Sequence, residues 1–249
     1  IAEEALLMNT ESILLLTKDA FCKEYLPVYG NRYWAGKTPN IDELAAKGTV
    51  FNHFYTAAPS TVMAFRSMMF GKFSYETPYP NYTPMEIPDE PTNFFVEANH
   101  AGYGCHIIWD EAWVRMVLRY GNCFGPNTQI HNINELRQGV GAHYNHKEPL
   151  TRSTERCQES IHKIEDVVKS ILSNEKKSIV WIHLPHVLNG RIGYGDDIDV
   201  FDDCVGMLRK YFSDDNIFIS ADHGNMNGFR DKYCYGFDVY RTAIEIPLI

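Results

Sequence analysis

Apolar and polar positions along the chain fall into two alternating kinds of pattern. Residues 12–17 form a short apolar run, Ser-Ile-Leu-Leu-Leu-Thr, the pattern of a strand buried on both faces. Residues 104–109, 178–183 and 216–220 predict further strands, and residues 49–55 alternate well enough for another. Helices fall between these runs. Thr38-Pro39 opens one, with Thr38 as N-cap and Pro39 in the first turn. Its Ile41, Leu44 and Ala45 share one face, and Gly48 ends it. Residues 60–70 read as a helix that begins right after Pro59 and is closed by Gly71. Residues 92–101 are predicted helical, as are 153–172, where Ile161, Ile164, Val168, Ile171 and Leu172 recur at helical spacing. Residues 197–212 form an amphipathic helix with Ile198, Phe201, Val205, Leu208 and Phe212 on one side. Residues 73–91, rich in Pro and Tyr, read as an irregular surface excursion. Residues 112–148 read as a lid or insertion, and 246–249 as a terminal strand cut short.

Strands that alternate with helices predict an α/β fold, with a mostly parallel central sheet and helices on both faces. In such sheets the site lies at the carboxyl ends of the strands. Asp19, His183 and the pair Asp222-His223 all fall there. No repeat, low-complexity tract or domain boundary is visible, so residues 1–249 are expected to form a single domain.

Charge and composition narrow the function. The net charge is −9 and no basic run stands out, which argues against nucleic acid as a partner. An acidic protein that handles an anionic group needs local positive charge, and a metal ion with a few Arg, Lys or His residues supplies it. The six cysteines (Cys22, Cys105, Cys123, Cys157, Cys204 and Cys234) include no Cys-x-x-Cys pair, and free buried thiols in a reducing compartment are expected. No apolar run reaches the ~18 residues of a membrane span. The N-terminus carries Glu3, Glu4 and Glu11 and no basic region, so it does not read as a signal peptide. A cytoplasmic location is therefore expected, or an extracytoplasmic one if the chain is an excised domain. Met8 is a candidate native start, which would make residues 1–7 foreign to the natural chain.

A carboxylate after the first strand and an Asp-His pair after a late strand can converge on one ion. Their oxygen and nitrogen donors suit Mn²⁺, Zn²⁺, Mg²⁺ or Ca²⁺. Each residue has a blander explanation, since a lone Asp at a strand end is commonly a cap or a loop hydrogen-bonder. Thr61 sits at the predicted start of a helix, where unpaired N–H groups and the helix dipole favour negative charge. A hydroxyl there can attack a phosphorus or sulfur centre, or Ser60 or Thr61 can simply cap the helix.

Several segments together resemble the sulfatases and their phosphotransferase relatives in the alkaline phosphatase/sulfatase superfamily. Thr38-Pro39-Asn40-Ile41-Asp42-Glu43-Leu44-Ala45-Ala46-Lys47-Gly48, continuing through Phe51 and Tyr55 to Ala58-Pro59, looks like the family's N-terminal signature, which leads into the nucleophile helix. Leu14 to Asp19 resembles its first strand with a metal-binding Asp. Gly102-Tyr103, the His183-Leu184-Pro185-His186 element, the helix from Tyr194 through Asp202 to Gly206, Ser220 to Gly224, and Ile246 to Ile249 follow in the family's order. The resemblance implies Asp19, Thr61, Asp222 and His223 as ligands of one divalent metal ion.

Departures from the family pattern bear on the reaction. Sulfatases mature a Cys or Ser into formylglycine within a short motif, and here Val62 occupies that position ahead of Ala64 and Arg66. Counting back from Gly71 places Thr61 at the nucleophile position, and an unmodified Thr is what the phosphoester branch of the family uses. The resemblance thus implies a hydrolase or headgroup transferase that forms a phospho-threonine intermediate. Its substrate would be a small-molecule, glycan or lipid-headgroup phosphoester. The alternatives are a sulfatase-type hydrolase and a non-catalytic anion-binding member. His186 or His183 would assist the leaving alcohol, although a satisfied structural histidine is a rival account of His183. Arg66 would reach back toward an oxyanion or pair with a surface acid. Lys232 would neutralise the anion or stay solvated. Asn225 and Asn227 would shape the turn. His131, His143, His146 and Trp113 fall in the hard-to-read middle.

Overall fold

The structure is a computed structural model that describes residues 9–73, 75–76, 93–109, 124, 127–132, 150–184, 195–226, 229–231, 235–236 and 238–249, with the backbone alone for 150–160 and 195–197. The described elements run β1 (Ile13–Lys18), α1 (Pro39–Lys47), α2 (Thr61–Phe70), α3 (Phe94–His100), β2 (Gly104–Trp109), β3 (Thr128–Asn132), α4 (Leu150–Asn174), β4 (Ser178–Leu184), α5 (Gly195–Leu208), β5 (Ile217–Ala221) and α6 (Arg241–Ile244). The strands form one sheet in the order β3-β2-β4-β1-β5. Each pairing in it is parallel, with Thr17 beside His183 on β4 and beside Ser220 on β5.

Helices cover both faces. Leu14, Leu16, Val180 and Ile182 pack against Ile41 and Leu44 of α1, Ile164 and Val168 of α4, and Phe201 and Val205 of α5. On the other face Ile107, Trp109 and Trp181 meet Phe65 and Met69 of α2 and Phe95 of α3. Phe65 stacks on Trp109 with ring centroids 4.4 Å apart. Burial on both faces is why β1 and β4 read as continuous apolar runs rather than alternating ones. Each fully buried side chain of this size contributes about 1.5–3 kcal/mol.

The α1 helix begins where Thr38-Pro39 predicts, but Thr38 makes no backbone cap; its hydroxyl donates to Asp42 Oδ1 at 3.2 Å. The capping is done from α5. Asp202 accepts from the Ile41 N–H at 2.8 Å and the Asn40 N–H at 3.2 Å. Gly206 makes this approach feasible, because a Cβ there would lie 2.7 Å from the Asn40 side chain. Gly48 ends α1 in an extended conformation (φ −98°), whereas Gly71 closes α2 in the left-handed region (φ 61°).

Four expectations need correction. The stretch 112–148 contains β3, an edge strand, so it is not wholly a lid or insertion; most of the rest of it, with His143, His146 and Trp113, lies outside the described residues. Residues 49–55 form no strand. They run antiparallel to the C-terminal segment through scattered bonds, such as Phe51 N–H to Leu248 O, and are largely exposed. The α5 helix stops at Leu208, and Phe212 instead bridges to Asn9. Residues 246–249 make an antiparallel bridge with β5 at Ser220 and Leu248 rather than a full strand. Cys22, Cys105 and Cys204 are buried free thiols, as expected. No helix of the described residues is long and apolar enough to cross a membrane.

Candidate metal centre and nucleophile

The parallel sheet sets β5 directly beside β1, so their carboxyl ends deliver Asp19 and the pair Asp222-His223 to one place. One ligand atom from each of these three residues lies within 4.8 Å of the others. His223 Nε2 is 3.6 Å from Asp19 Oδ1 and 3.4 Å from Asp222 Oδ2. The head of α2 adds Thr61, whose Oγ1 is 3.1 Å from His223 Nε2 and 3.5 Å from Asp19 Oδ1. Asp19 and Thr61 are 5% and 3% exposed, while Asp222 and His223 are wholly buried.

Local hydrogen bonds orient each group. Asp222 Oδ1 accepts from the N–H groups of Ala20 at 3.0 Å and His223 at 2.7 Å. The first requires Ala20 to turn into the left-handed region (φ 53°), an uncommon conformation for a residue with a Cβ. Backbone strain of this kind concentrates at functional sites. His223 Nδ1 lies 2.7 Å from Gly224 O and must donate to it, which leaves the Nε2 lone pair directed at Thr61 and the carboxylates. The Tyr235 ring lies 4.3 Å from the His223 ring.

The donor set fits a divalent cation. Asp222 Oδ2 is buried and accepts no hydrogen bond from the described residues. Buried carboxylate oxygen left this way is costly unless a cation or proton compensates it. Two carboxylates, one imidazole with a free lone pair and one hydroxyl form a mixed oxygen and nitrogen set suited to Zn²⁺, Mn²⁺ or Mg²⁺.

The remaining candidates are placed as follows. Ser60 occupies the N-cap of α2, and its side chain makes no cap bond to the helix. Arg66, on α2, is 6% exposed. His183 is wholly buried on β4. The Thr17 hydroxyl is 2.9 Å from its Nδ1 and also accepts from Trp181 Nε1 at 2.8 Å. Phe65 packs against its ring at 4.6 Å. Burial pushes the His183 pKa down to about 4, although the nearby Asp222 carboxylate opposes the shift. His131 is on β3, 3.0 Å from His106, and takes no part in the site. His186, Lys232 and Asn227 lie outside the described residues. Asn225 is 6% exposed and donates its N–H to Cys22 Sγ at 3.1 Å. A hollow of about 610 Å³ between α2, β1 and β5 is lined by Leu15, Met68, Phe218 and Ile246, and none of the four clustered residues lines it.

Comparison with known proteins bears on the fold. The family model for sulfatases matches residues 12–116. A putative sulfatase from Bacteroides thetaiotaomicron superposes with a TM-score of 0.64 at 13% identity, over 96% of this chain and 64% of that one. The phosphonate monoester hydrolase of Agrobacterium radiobacter superposes at 0.66 with 13% identity, over 96% and 67%. The C-terminal periplasmic domain of EcEptC from Escherichia coli, in complex with Zn, gives 0.59 at 14% identity, over 96% and 72%. The chain therefore has the fold of the alkaline phosphatase/sulfatase superfamily, with its sulfatase-like segment in the N-terminal part. It spans 64% of the length of the Bacteroides sulfatase. No curated protein matches the chain in sequence.

Proposed function

We propose that the chain is a metal-dependent hydrolase or transferase of phosphate esters, with Thr61 as its nucleophile. Asp19, Thr61, Asp222 and His223 are the ligands of one divalent cation in this proposal. The observation that carries it is Thr61 Oγ1 at the head of α2, 3.1 Å from His223 Nε2 and 3.5 Å from Asp19 Oδ1. A divalent cation held by these groups would supply Lewis acidity and favour the alkoxide of a bound hydroxyl.

The chain's own residues orient the reaction. With Nδ1 bonded to Gly224 O, His223 turns its Nε2 toward Thr61 Oγ1 and the two carboxylates. The Thr61 hydroxyl can donate to Asp19 Oδ1, 3.5 Å away, which leaves its lone pairs for the cation and the incoming ester. The substrate's anionic oxygens meet the first-turn N–H groups of α2, which Ser60 does not occupy. In-line attack forms a Thr61 Oγ1–P bond as the bond to the leaving alcohol breaks. Water or an acceptor alcohol then displaces Thr61, which makes the enzyme a hydrolase or a transferase. Buried Arg66 is assigned to the substrate's oxyanion, His186 to protonation of the leaving alcohol and Lys232 to charge neutralisation. His183 acts as a positioning residue beneath Asp222 rather than a proton donor, because it is wholly buried. The substrate is a small-molecule, glycan or lipid-headgroup phosphoester.

The sulfatase-family match at residues 12–116 favours a second reading, sulfate-ester hydrolysis. Val62 in the maturation frame argues against the formylglycine route. Metal analysis followed by turnover of aryl phosphodiesters, phosphomonoesters and aryl sulfates separates the two. Phosphodiester turnover that needs added Zn²⁺, Mn²⁺ or Mg²⁺, together with an unmodified peptide at 60–66 by mass spectrometry, is the expected result. Sulfatase activity with an aldehyde in that peptide would overturn it.

A further inference from the structure

Three of the four proposed ligands, Asp19, Asp222 and His223, sit on two loops, and a buried thiol joins those loops. Cys22 follows the Asp19–Ala20 turn and stands at the N-terminal boundary of the short helix Lys23–Tyr25, without a side-chain cap bond. Its Sγ accepts the Asn225 N–H at 3.1 Å. The same sulfur lies 3.2 Å from Asn225 O and 3.1 Å from Thr242 O, and its one proton can be donated to either carbonyl. Three stretches of chain thus meet at one atom: the loop after β1, the loop after Asp222-His223, and α6. Cys22 is 1% exposed, and burial keeps the sulfur out of solvent chemistry.

The contact bears on the metal ligands because of what holds the second loop. Residues 222–226 touch the first loop through Ala20 N–H to Asp222 Oδ1 on one side and Asn225 N–H to Cys22 Sγ on the other. They touch α6 through Gly224 N–H to Ala243 O at 2.8 Å. The fit against α6 is close enough that a Cβ on Gly224 would lie 2.0 Å from Thr242 O. His223 lies between these anchors, and its Nδ1 partner is Gly224 O, on the residue just before Asn225. A shift of Asn225 would therefore carry Gly224 O with it and turn the imidazole.

We infer that Cys22 is a positioning residue of the metal centre, setting the separation and the His223 ring orientation through its clamp on Asn225 and Thr242. This rests on the metal site proposed above. Outer groups that orient ligands commonly change metal affinity by about 10- to 100-fold when removed. The test measures Zn²⁺ and, separately, Mn²⁺ affinity of the whole chain by competition with a chromophoric chelator, for the native protein, Cys22→Ala and Cys22→Ser. Cys22→Ala is expected to bind about 10- to 100-fold more weakly, and Cys22→Ser, which can still accept and donate, to recover most of the loss. Hydrogen exchange at the Asn225 amide is expected to be slow in the native protein and faster in Cys22→Ala, with β4 amides unchanged. Equal affinity for native protein and Cys22→Ala would overturn the inference, as would Asn225 exchanging at the rate of an open amide in the native protein, which needs no variant. If the native protein bound neither ion, the metal site itself would fall, and the clamp with it.

Discussion

Replacing Thr61 with Ala removes a hydroxyl that the structure sets at the junction of Asp19, His223 and the head of α2. The structural cost is small. The lost atom takes away a hydrogen bond to His223 Nε2, and a bond of this kind contributes about 0.5–1.5 kcal/mol to stability. His223 keeps its orientation, since its Nδ1 bond to Gly224 O is untouched. Three of the four proposed ligands also remain within 4.8 Å of one another. The catalytic cost is large, because no other hydroxyl of the described residues occupies that place. Ser60 precedes it by one residue, in extended backbone (φ −151°) outside the helix, and its side chain makes no cap bond. The expected result is a loss of at least ~10³-fold in turnover of an aryl phosphodiester, as for other covalent nucleophiles. Thr61→Ser is expected to retain measurable activity. Ser60→Ala is expected to fall below the ~0.5–2 kcal/mol typical of a lost N-cap, because there is no cap interaction to lose. The assay is steady-state turnover with each candidate metal at saturation, alongside urea denaturation of each variant. Thr61→Ala holding more than a tenth of native turnover while bound to metal would refute the covalent mechanism.

Two further predictions concern protonation. Glu245 is a buried carboxylate: burial opposes its ionisation, but bonds from Lys23 at 2.7 Å, Arg241 and His53 outweigh that and hold its pKa near 2. Its stabilising contribution is thus complete above pH 4.5 and lost as pH falls toward 2; Glu245→Ala, which strands Lys23, should cost about 3–5 kcal/mol at neutral pH and flatten that acid limb in urea titrations. An unchanged acid limb would show that the network does not hold the C-terminal segment. His183, with its pKa pushed down to about 4, is expected to show neutral-imidazole nitrogen shifts by NMR from pH 8 to pH 5. Stability then declines as pH drops below 6.5 toward 4, because the unfolded chain takes up the proton first; a His183 titration near pH 6.5 would contradict the buried placement.

Much of this fold is legible in the residues because the central strands are covered on both faces. That makes 12–17 and 178–183 unbroken apolar runs, and the strand-end rule then puts Asp19, Asp222 and His223 together. β3 escaped because Thr-Gln-Ile-His-Asn is an edge strand that is only partly buried and carries mostly polar side chains. Residues 49–55 alternate like a strand, yet their partners are the scattered acceptors of the C-terminal segment, and alternation cannot reveal a missing ladder. The cap of α1 was invisible for another reason: Asp202 stands 161 residues beyond Ile41, whereas capping signals are read locally. Cys22 gave no signal at all, since a lone thiol has neither spacing nor period to mark it.

The strand order has a consequence for how the protein is made. Among the described strands Asp19 follows the first in chain order, and its neighbours Asp222 and His223 follow the last. The bond from Ala20 to Asp222 spans 202 residues. The described neighbours of β1 are β4 and β5, which both come after β2 and β3 in the chain. Such long-range pairing is slow, and the closure entropy must be met before any contact rewards it. In the proposed metal site, capture of an ion requires β5 to be docked beside β1, and an equilibrium intermediate with β5 undocked would be recognisable by its failure to bind the cation.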